Sequence, residues 1–250
     1  MCIATFTAFH MQKEPLLLAN VWNAHTAAIA EKIGYDALGT SSHAIALALG
    51  YGDGEELSFD ELLFAVERIL AAVDCNVSVD FEAGYSYDAN QVANQAKILA
   101  DMGVVGLNIE DGIVQDRKRM LGSETLLADK IHAINAKCEI FINARIDTYT
   151  TKHPNALEET IRRAKLYQKA GADGIFVPLM EKEDDIQRFV AEIDLPLNLF
   201  TTPNLPAFER LAELGVKRLS HGGKQYDKLM KESERIFSDY FRTKAYDIVL

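Results

Sequence analysis

Four places along this chain read alike. Ile33-Gly34, Met102-Gly103, Ala170-Gly171 and Leu214-Gly215 each close an amphipathic stretch with glycine, and each leads into a short apolar run. Glycine just past a helix adopts the left-handed turn at little cost and redirects the chain. Helices that hand over repeatedly to strands imply a parallel sheet, because a parallel neighbour needs a crossover connection. The alternation can be followed from end to end. Strands are expected at 15–22, 37–42, 76–81, 105–109, 139–146, 174–177, 197–201 and 218–221. Helices are expected at 24–33, from the Ser58/Glu61 capping box to 73, from 89, and at 123–135, 156–170, 182–193 and 207–214. A long one follows from 224. Eight such units in 250 residues fit an α/β fold, one (β/α)8 TIM barrel over 1–250, with a helical extension over 224–250. An open doubly wound sheet is the alternative. No glycine-rich dinucleotide fingerprint follows the first strand, which counts against it.

Two strand ends carry an unusual density of acid. Val77-Ser-Val-Asp-Phe-Glu-Ala-Gly-Tyr85 and Gly106-Leu-Asn-Ile-Glu-Asp-Gly112 place Asp80, Glu82, Glu110 and Asp111 where strands stop. In a parallel barrel the C-terminal strand ends meet at one mouth. Carboxylates gathered there repel unless a cation or a proton intervenes. A hard cation such as Mg²⁺ takes carboxylate oxygens and keeps several waters; solvated loop acids are the alternative. Asp80 and Glu82 are two apart, so on a regular strand they share a face. The rest of the expected mouth is polar. It holds Asn20 and Asn23, Ser41, Ser42 and His43, Asn108, then Asn143, Arg145 and Asp147, then Thr201, Thr202 and Asn204, and finally His221. Arg145 offers a bidentate clamp for a carboxylate or phosphate, or else pairs with Asp147 or Glu110. Ser41 and Ser42 either hold a substrate carboxylate or simply cap a turn.

A net charge of −11 argues against non-specific binding to nucleic acid or to an anionic membrane. Cys2, Cys75 and Cys138 form neither a disulfide framework nor a zinc pattern. The first residues lack the basic and long apolar regions of a secretory signal, and no stretch is apolar enough to span a bilayer. The expectation is a cytoplasmic protein. The last helix carries Leu229, Met230, Phe237, Tyr240 and Phe241. That stripe is either intramolecular core or a contact between copies in a dimer or tetramer.

The order and spacing of several motifs resemble the isocitrate lyase/phosphoenolpyruvate mutase superfamily. They are Thr40-Ser-Ser-His43, Leu49-Gly-Tyr-Gly-Asp53, Asp80-Phe-Glu-Ala-Gly-Tyr85, Gly106-Leu-Asn-Ile-Glu-Asp111, Ala144-Arg-Ile-Asp147 and Ala170-Gly-Ala-Asp-Gly-Ile-Phe176. The resemblance runs from about Leu17 to Leu219. It implies a homo-oligomeric Mg²⁺ enzyme (Mn²⁺ as a substitute) that acts on a small anionic α-oxo acid through an enolate-like intermediate. It assigns Asp80, Glu82 and Glu110 to the metal, with Asp53 beside them. Ser41, Ser42, His43, Arg145 and Asn204 go to the substrate, and Arg145, Asp53 and Glu110 to catalysis. It further implies exchange of C-terminal helices between subunits.

The departures from that pattern are informative. The carbon–carbon lyases carry a Lys-Lys/Arg-Cys-Gly-His loop after the fourth strand, whereas residues 112–122 contain no cysteine and no histidine. The mutases have lysine where Gly112 stands, and a histidine where this chain has Val177-Pro178-Leu179. The basic run Asp116-Arg-Lys-Arg119 either closes over an anionic substrate or is a solvated charge run. The reading is a lyase or decarboxylase. The alternatives are a C–P enzyme (a phosphoenolpyruvate mutase or phosphonopyruvate hydrolase) and a non-catalytic oxo-acid-binding protein.

Overall fold

In a computed structural model, which describes residues 2–115 and 118–250, eight parallel strands close into a barrel. In chain order the strands are β1 (Leu16–Val21), β2 (Ala37–Thr40), β3 (Asn76–Asp80), β4 (Gly106–Glu110), then β7 (Phe141–Arg145), β8 (Gly174–Val177), β9 (Leu197–Phe200) and β10 (Arg218–Ser220). β10 pairs back onto β1, with Leu16 opposite Arg218, and seals the barrel. The two remaining strands, β5 (Gly112–Gln115) and β6 (Lys118–Leu121), form an antiparallel hairpin directly after β4.

Helices α2 (Ala24–Ile33), α4 (Phe59–Leu70), α5 (Ala89–Asp101), α6 (Glu124–Asn135), α7 (Ala156–Ala170), α8 (Glu183–Glu192) and α9 (Phe208–Glu213) form the crossovers. Local chemistry sets their ends. Asn23 and Ser58 each close a capping box, and Gly34 and Gly171 hold the left-handed C-terminal turn at φ of 106° and 101°. Odd-numbered residues of β3 and β4 (Val77, Val79, Leu107, Ile109) are fully buried among apolar residues from strands and helices alike, Ala27, Ile69, Val92, Leu99 and Ile131 included. Even-numbered residues point into the barrel, where the packing is partly polar. Asn143 Nδ2 donates to Asn108 Oδ1 at 2.8 Å, and Arg218 Nη2 reaches the same oxygen at 3.3 Å.

Two helices and the hairpin lie outside the sequence expectation. α1 (Ile3–Phe9) stoppers the N-terminal end of the barrel. Phe6 meets Phe141 edge-on at 5.3 Å, and His10 stacks on Phe141 at 4.4 Å. α3 (Ser42–Leu49) begins immediately after β2, so the strand expected to reach Ser42 stops at Thr40. Its sequence is apolar nearly throughout and shows no polar face from which a helix could be read. The hairpin was expected as an irregular loop. Asp116 and Arg117 of the basic run lie outside the described residues. The long helix α10 (Lys224–Thr243) follows β10 as expected. Among the described residues, no helix is long and apolar enough to cross a membrane.

Candidate active site

At the C-terminal ends of the strands lies a cavity of about 300 Å³. Asp53, Asp80, Glu82 and Glu110 reach it from three segments, facing Arg119 and Arg145, with Phe176, Leu179 and Phe200 as apolar wall. Asp80 ends β3 and is fixed by the first residue of α3. The Ser42 hydroxyl donates to its Oδ2 at 2.6 Å, and the Ser42 amide does so at 3.3 Å. Glu82 does not share the strand geometry expected for it. Its φ of 47° shows that the chain has already turned, yet the carboxyl still reaches the cavity. The turn is held by reciprocal bonds. Glu55 N donates to Glu82 Oε2 at 2.8 Å, Tyr85 N to Glu55 Oε1 at 2.7 Å, and Tyr85 Oη to Glu82 Oε1 at 3.0 Å. Glu55, Tyr85 and Leu179 also hold positive φ, so backbone strain collects around this mouth.

The electrostatics explain how so many acids coexist. Glu110 is buried between two guanidiniums. Arg145 Nη1 meets its Oε2 at 2.8 Å, and Arg119 Nη1 bonds its Oε1. The same arginines hold Asp147, through Arg145 Nε at 2.8 Å and Arg119 Nη1 at 2.7 Å. Burial pushes the Glu110 carboxyl up, and the arginines offset only part of it. Asp147 is equally buried, but Arg145 and Arg119 outweigh that and hold it low. Among the described residues, Glu82 has no cation of its own. Burial, then repulsion by Asp80, Glu110 and Asp53, pushes it up to about 8. His43 lies 3.9 Å from Asp53 and 3.1 Å from Asp227 in the first turn of α10. Those two carboxylates raise its imidazole to about 9, against the opposing effect of burial.

The donors fit a hard cation. All are oxygens, and Glu82 and its neighbours repel one another across a single space. Among the described residues, no three His, Cys, Asp or Glu side chains stand ready to ligate an ion unaided. An Mg²⁺ ion held here would complete its shell with water and substrate.

The residues expected from the sequence divide. Ser41, Ser42, His43, Asp53, Asp80, Glu82, Glu110 and Arg145 all line the cavity. Within it, Ser41 caps α3 through its hydroxyl, and Ser42 is engaged with Asp80. Asn204 is exposed on the loop after β9 and donates to Glu181 at 3.2 Å, outside the cavity lining. Asp111 faces away from the mouth. Its carboxylate accepts from Arg163 at 2.9 Å, from Tyr167 Oη at 2.8 Å and from the Asp147 amide at 2.9 Å, a buried tie to α7. Asn23 caps α2, and Asn143 lies deeper in the barrel. Asn20 Oδ1 accepts from the amides of His221 and Gly222 at 2.8 and 2.7 Å and so shapes the loop after β10. Two contributors were not expected. Asp227 comes from a helix 184 residues away from His43, a pairing no local pattern reveals. Arg119 is the last residue of the basic run, one of whose two sequence readings is closure over an anionic substrate.

The sequence profile of the phosphoenolpyruvate phosphomutase family matches residues 6–241. The chain belongs to that family, within the isocitrate lyase/phosphoenolpyruvate mutase superfamily. A protein from Mycobacterium tuberculosis, itself uncharacterized, is 35% identical over 223 residues, covering 89% of this chain and 83% of the relative. The oxaloacetate decarboxylase of Pseudomonas entomophila is 29% identical over 215 residues, covering 83% and 74%. A crystal structure from Burkholderia cenocepacia J2315, provisionally assigned as a phosphonomutase, is 34% identical with a TM-score of 0.87, covering 94% of this chain and 98% of the other.

Proposed function

We propose that this protein is a Mg²⁺-dependent carbon–carbon lyase or decarboxylase acting on a small α-oxo acid through an enolate-like intermediate. The observation that supports it is the convergence of Asp53, Asp80, Glu82 and Glu110 with Arg145 on one cavity at the strand ends. Asp80, Glu82 and Glu110 would hold Mg²⁺, or Mn²⁺ with the same donors, and Asp53 stands beside them. When bound, the ion supplies a Lewis acid for charge developing at the substrate's oxo oxygen.

The protein's own groups do the rest. Ser42 fixes Asp80 in place. Arg145, buttressed by Glu110 and Asp147, presents a preorganised positive charge to an anionic substrate. The start of α3 at Ser41, Ser42 and His43 is the proposed seat of the substrate carboxylate. Phe176, Leu179 and Phe200 restrict water. On oxaloacetate the C3–C4 bond breaks, its electron pair enters the enolate, carbon dioxide leaves, and a solvent proton restores C3. That reaction asks for no acid from the hairpin, in keeping with the absence of cysteine and histidine from residues 112–122. Asn204 takes no part in this reading.

The test follows pyruvate release with Mg²⁺ from oxaloacetate, phosphonopyruvate and 2-methylisocitrate side by side. Turnover of oxaloacetate supports the proposal. Turnover of phosphonopyruvate alone would replace it with C–P chemistry. No turnover of any of the three, with oxalate still protecting against unfolding, would replace it with a binding protein.

We further propose that α10 packs against another copy of the chain. Phe237 and Phe241 are 73% and 77% exposed on a single chain, beside Leu229, Met230 and Tyr240. Their number on one helix supports a covered face. Light scattering during gel filtration would show a dimer or tetramer, and a monomer at micromolar concentration would refute it.

A further inference from the structure

The cavity holds two guanidiniums, and their hydrogen-bonding states differ. Arg145 is committed: Nε and Nη2 bond Asp147 at 2.8 and 3.2 Å, and Nη1 meets Glu110. Arg119 meets both acids through Nη1 alone. Its Nη2 is 3.9 Å from Asp53 Oδ2, beyond hydrogen-bond distance, and its Nε has no partner among the described residues. Nε and Nη2 form one edge of the planar fork, the edge that takes a carboxylate in two parallel bonds. The side chain is 21% exposed and lines the cavity, so this edge is accessible.

The fold makes room for Arg119 at two points. A Cβ at Gly112 would land on Asp147 Oδ2 and 2.8 Å from Arg119 Nη1. Any side chain at 112 therefore forces Asp147, the guanidinium or both to shift. A Cβ at Gly54 would stand 2.5 Å from Val114 Cγ2, and Val114 is the register partner of Arg119 in the hairpin. The two glycines let the hairpin settle against the loop carrying Asp53, with Arg119 aimed inward. Arg145 lies close enough to Asp80 to feel its charge, whereas Arg119 enters from the hairpin, on the Asp53 side. An oxo acid with its oxo end beside Asp80 and Arg145 and its far end towards Asp53 would bring that far end to the open edge of Arg119.

We propose that Arg119 determines specificity by holding a second carboxylate of the substrate, so that the site selects 2-oxo dicarboxylates over monocarboxylates. The inference rests on the proposed function above and adds a residue and a selection rule to it. The contact is made in the bound substrate and not gained in the transition state, so it acts on KM. For a decarboxylation it even holds the departing group, which gives no assistance to bond breaking.

The experiment compares the parent with Arg119→Met, Arg119→Lys and Lys118→Met, the last an exposed hairpin control. The probes are oxaloacetate as substrate and oxalate, which lacks the far methylene carboxylate of oxaloacetate, as inhibitor, both with Mg²⁺. Arg119→Met should raise KM for oxaloacetate by about thirtyfold, the loss of a charge-assisted contact, with kcat unchanged or higher, since the charge of the departing carboxylate fades as the bond breaks. Arg119→Lys should recover part of that loss, and the oxalate inhibition constant should move less than about threefold, a smaller loss than that of one charged contact. An unchanged KM overturns the proposal. Equal weakening of oxaloacetate and oxalate also overturns it, because that pattern marks a merely structural residue. Parent protein that binds oxalate with Mg²⁺ but turns over no 2-oxo dicarboxylate overturns the selection rule and leaves the metal site standing. Parent protein whose oxalate binding ignores Mg²⁺ overturns the site reading itself.

Discussion

Glu82 gives the most searching prediction, because its environment opposes its own charge. It is 4% exposed, faces Asp80, Glu110, Asp53 and Glu55, and has no basic partner among the described residues. An ordinary glutamate near 4.5 is here pushed up to about 8. In the unfolded chain this carboxyl loses its proton near 4.5, while in the fold it keeps it. The stabilisation is therefore complete below pH 4.5 and is lost as pH rises towards 8. The loss at pH 8 is about 4 kcal/mol as an upper bound, a large share of a typical total. Glu82→Gln removes the ionisation and keeps both bonds: the amide oxygen accepts from Glu55 N, and the Tyr85 hydroxyl turns to accept from the new amide. Urea unfolding in EDTA should show the variant more stable than the parent at pH 8 by up to about 4 kcal/mol, and nearly equal to it at about pH 4. Added Mg²⁺ should stabilise the parent more than the variant, since the cation neutralises the charge the variant lacks. A variant less stable than the parent at pH 8 in EDTA would refute the reasoning, for the fold would then already compensate the ionised carboxylate.

Other perturbations separate structural acids from site acids and test the barrel's lower end. Asp111→Ala leaves the buried Arg163 guanidinium short of a partner and should cost about 3–5 kcal/mol in urea unfolding; a cost below about 1 kcal/mol would contradict the buried tie to α7. His10 is held down to about 3 by burial and by the Arg218 charge. Its contribution is complete above pH 6.5 and is lost as pH falls, so between pH 7 and 5 His10→Gln should lose about 2 kcal/mol less stability than the parent. Equal acid slopes would show that His10 is protonated in the fold.

The barrel was legible because its signals are local and repeated. Gly34, Gly103, Gly171 and Gly215 end helices through backbone conformation, and each strand's apolar side faces a helix. The acids at the strand ends were legible for the same reason. Which way each one turns was not. Asp111 looked equivalent to Glu110, yet one residue of offset directs it to Arg163 and Tyr167, the outcome of strand alternation once the register is set. Glu82 reaches the cavity through a left-handed turn that a strand pattern cannot foretell. α3 was hidden because Ala44, Ile45 and Ala46 are buried in a helix apolar on nearly every side. Arg119 read as one charge in a basic run. Only the hairpin register and the space at Gly112 bring it between Glu110 and Asp147.

The account's central claim is that Asp80 anchors a divalent cation that makes α-oxo acid chemistry possible in this cavity. The direct measurement is the initial rate of pyruvate release from oxaloacetate as Mg²⁺ is titrated, for the parent and for Asp80→Ala in parallel. The account predicts a saturable Mg²⁺ dependence in the parent that EDTA abolishes, and no enzyme-dependent rate in the variant at any Mg²⁺ concentration. Asp80→Ala that retains the parent's rate and Mg²⁺ dependence would contradict it.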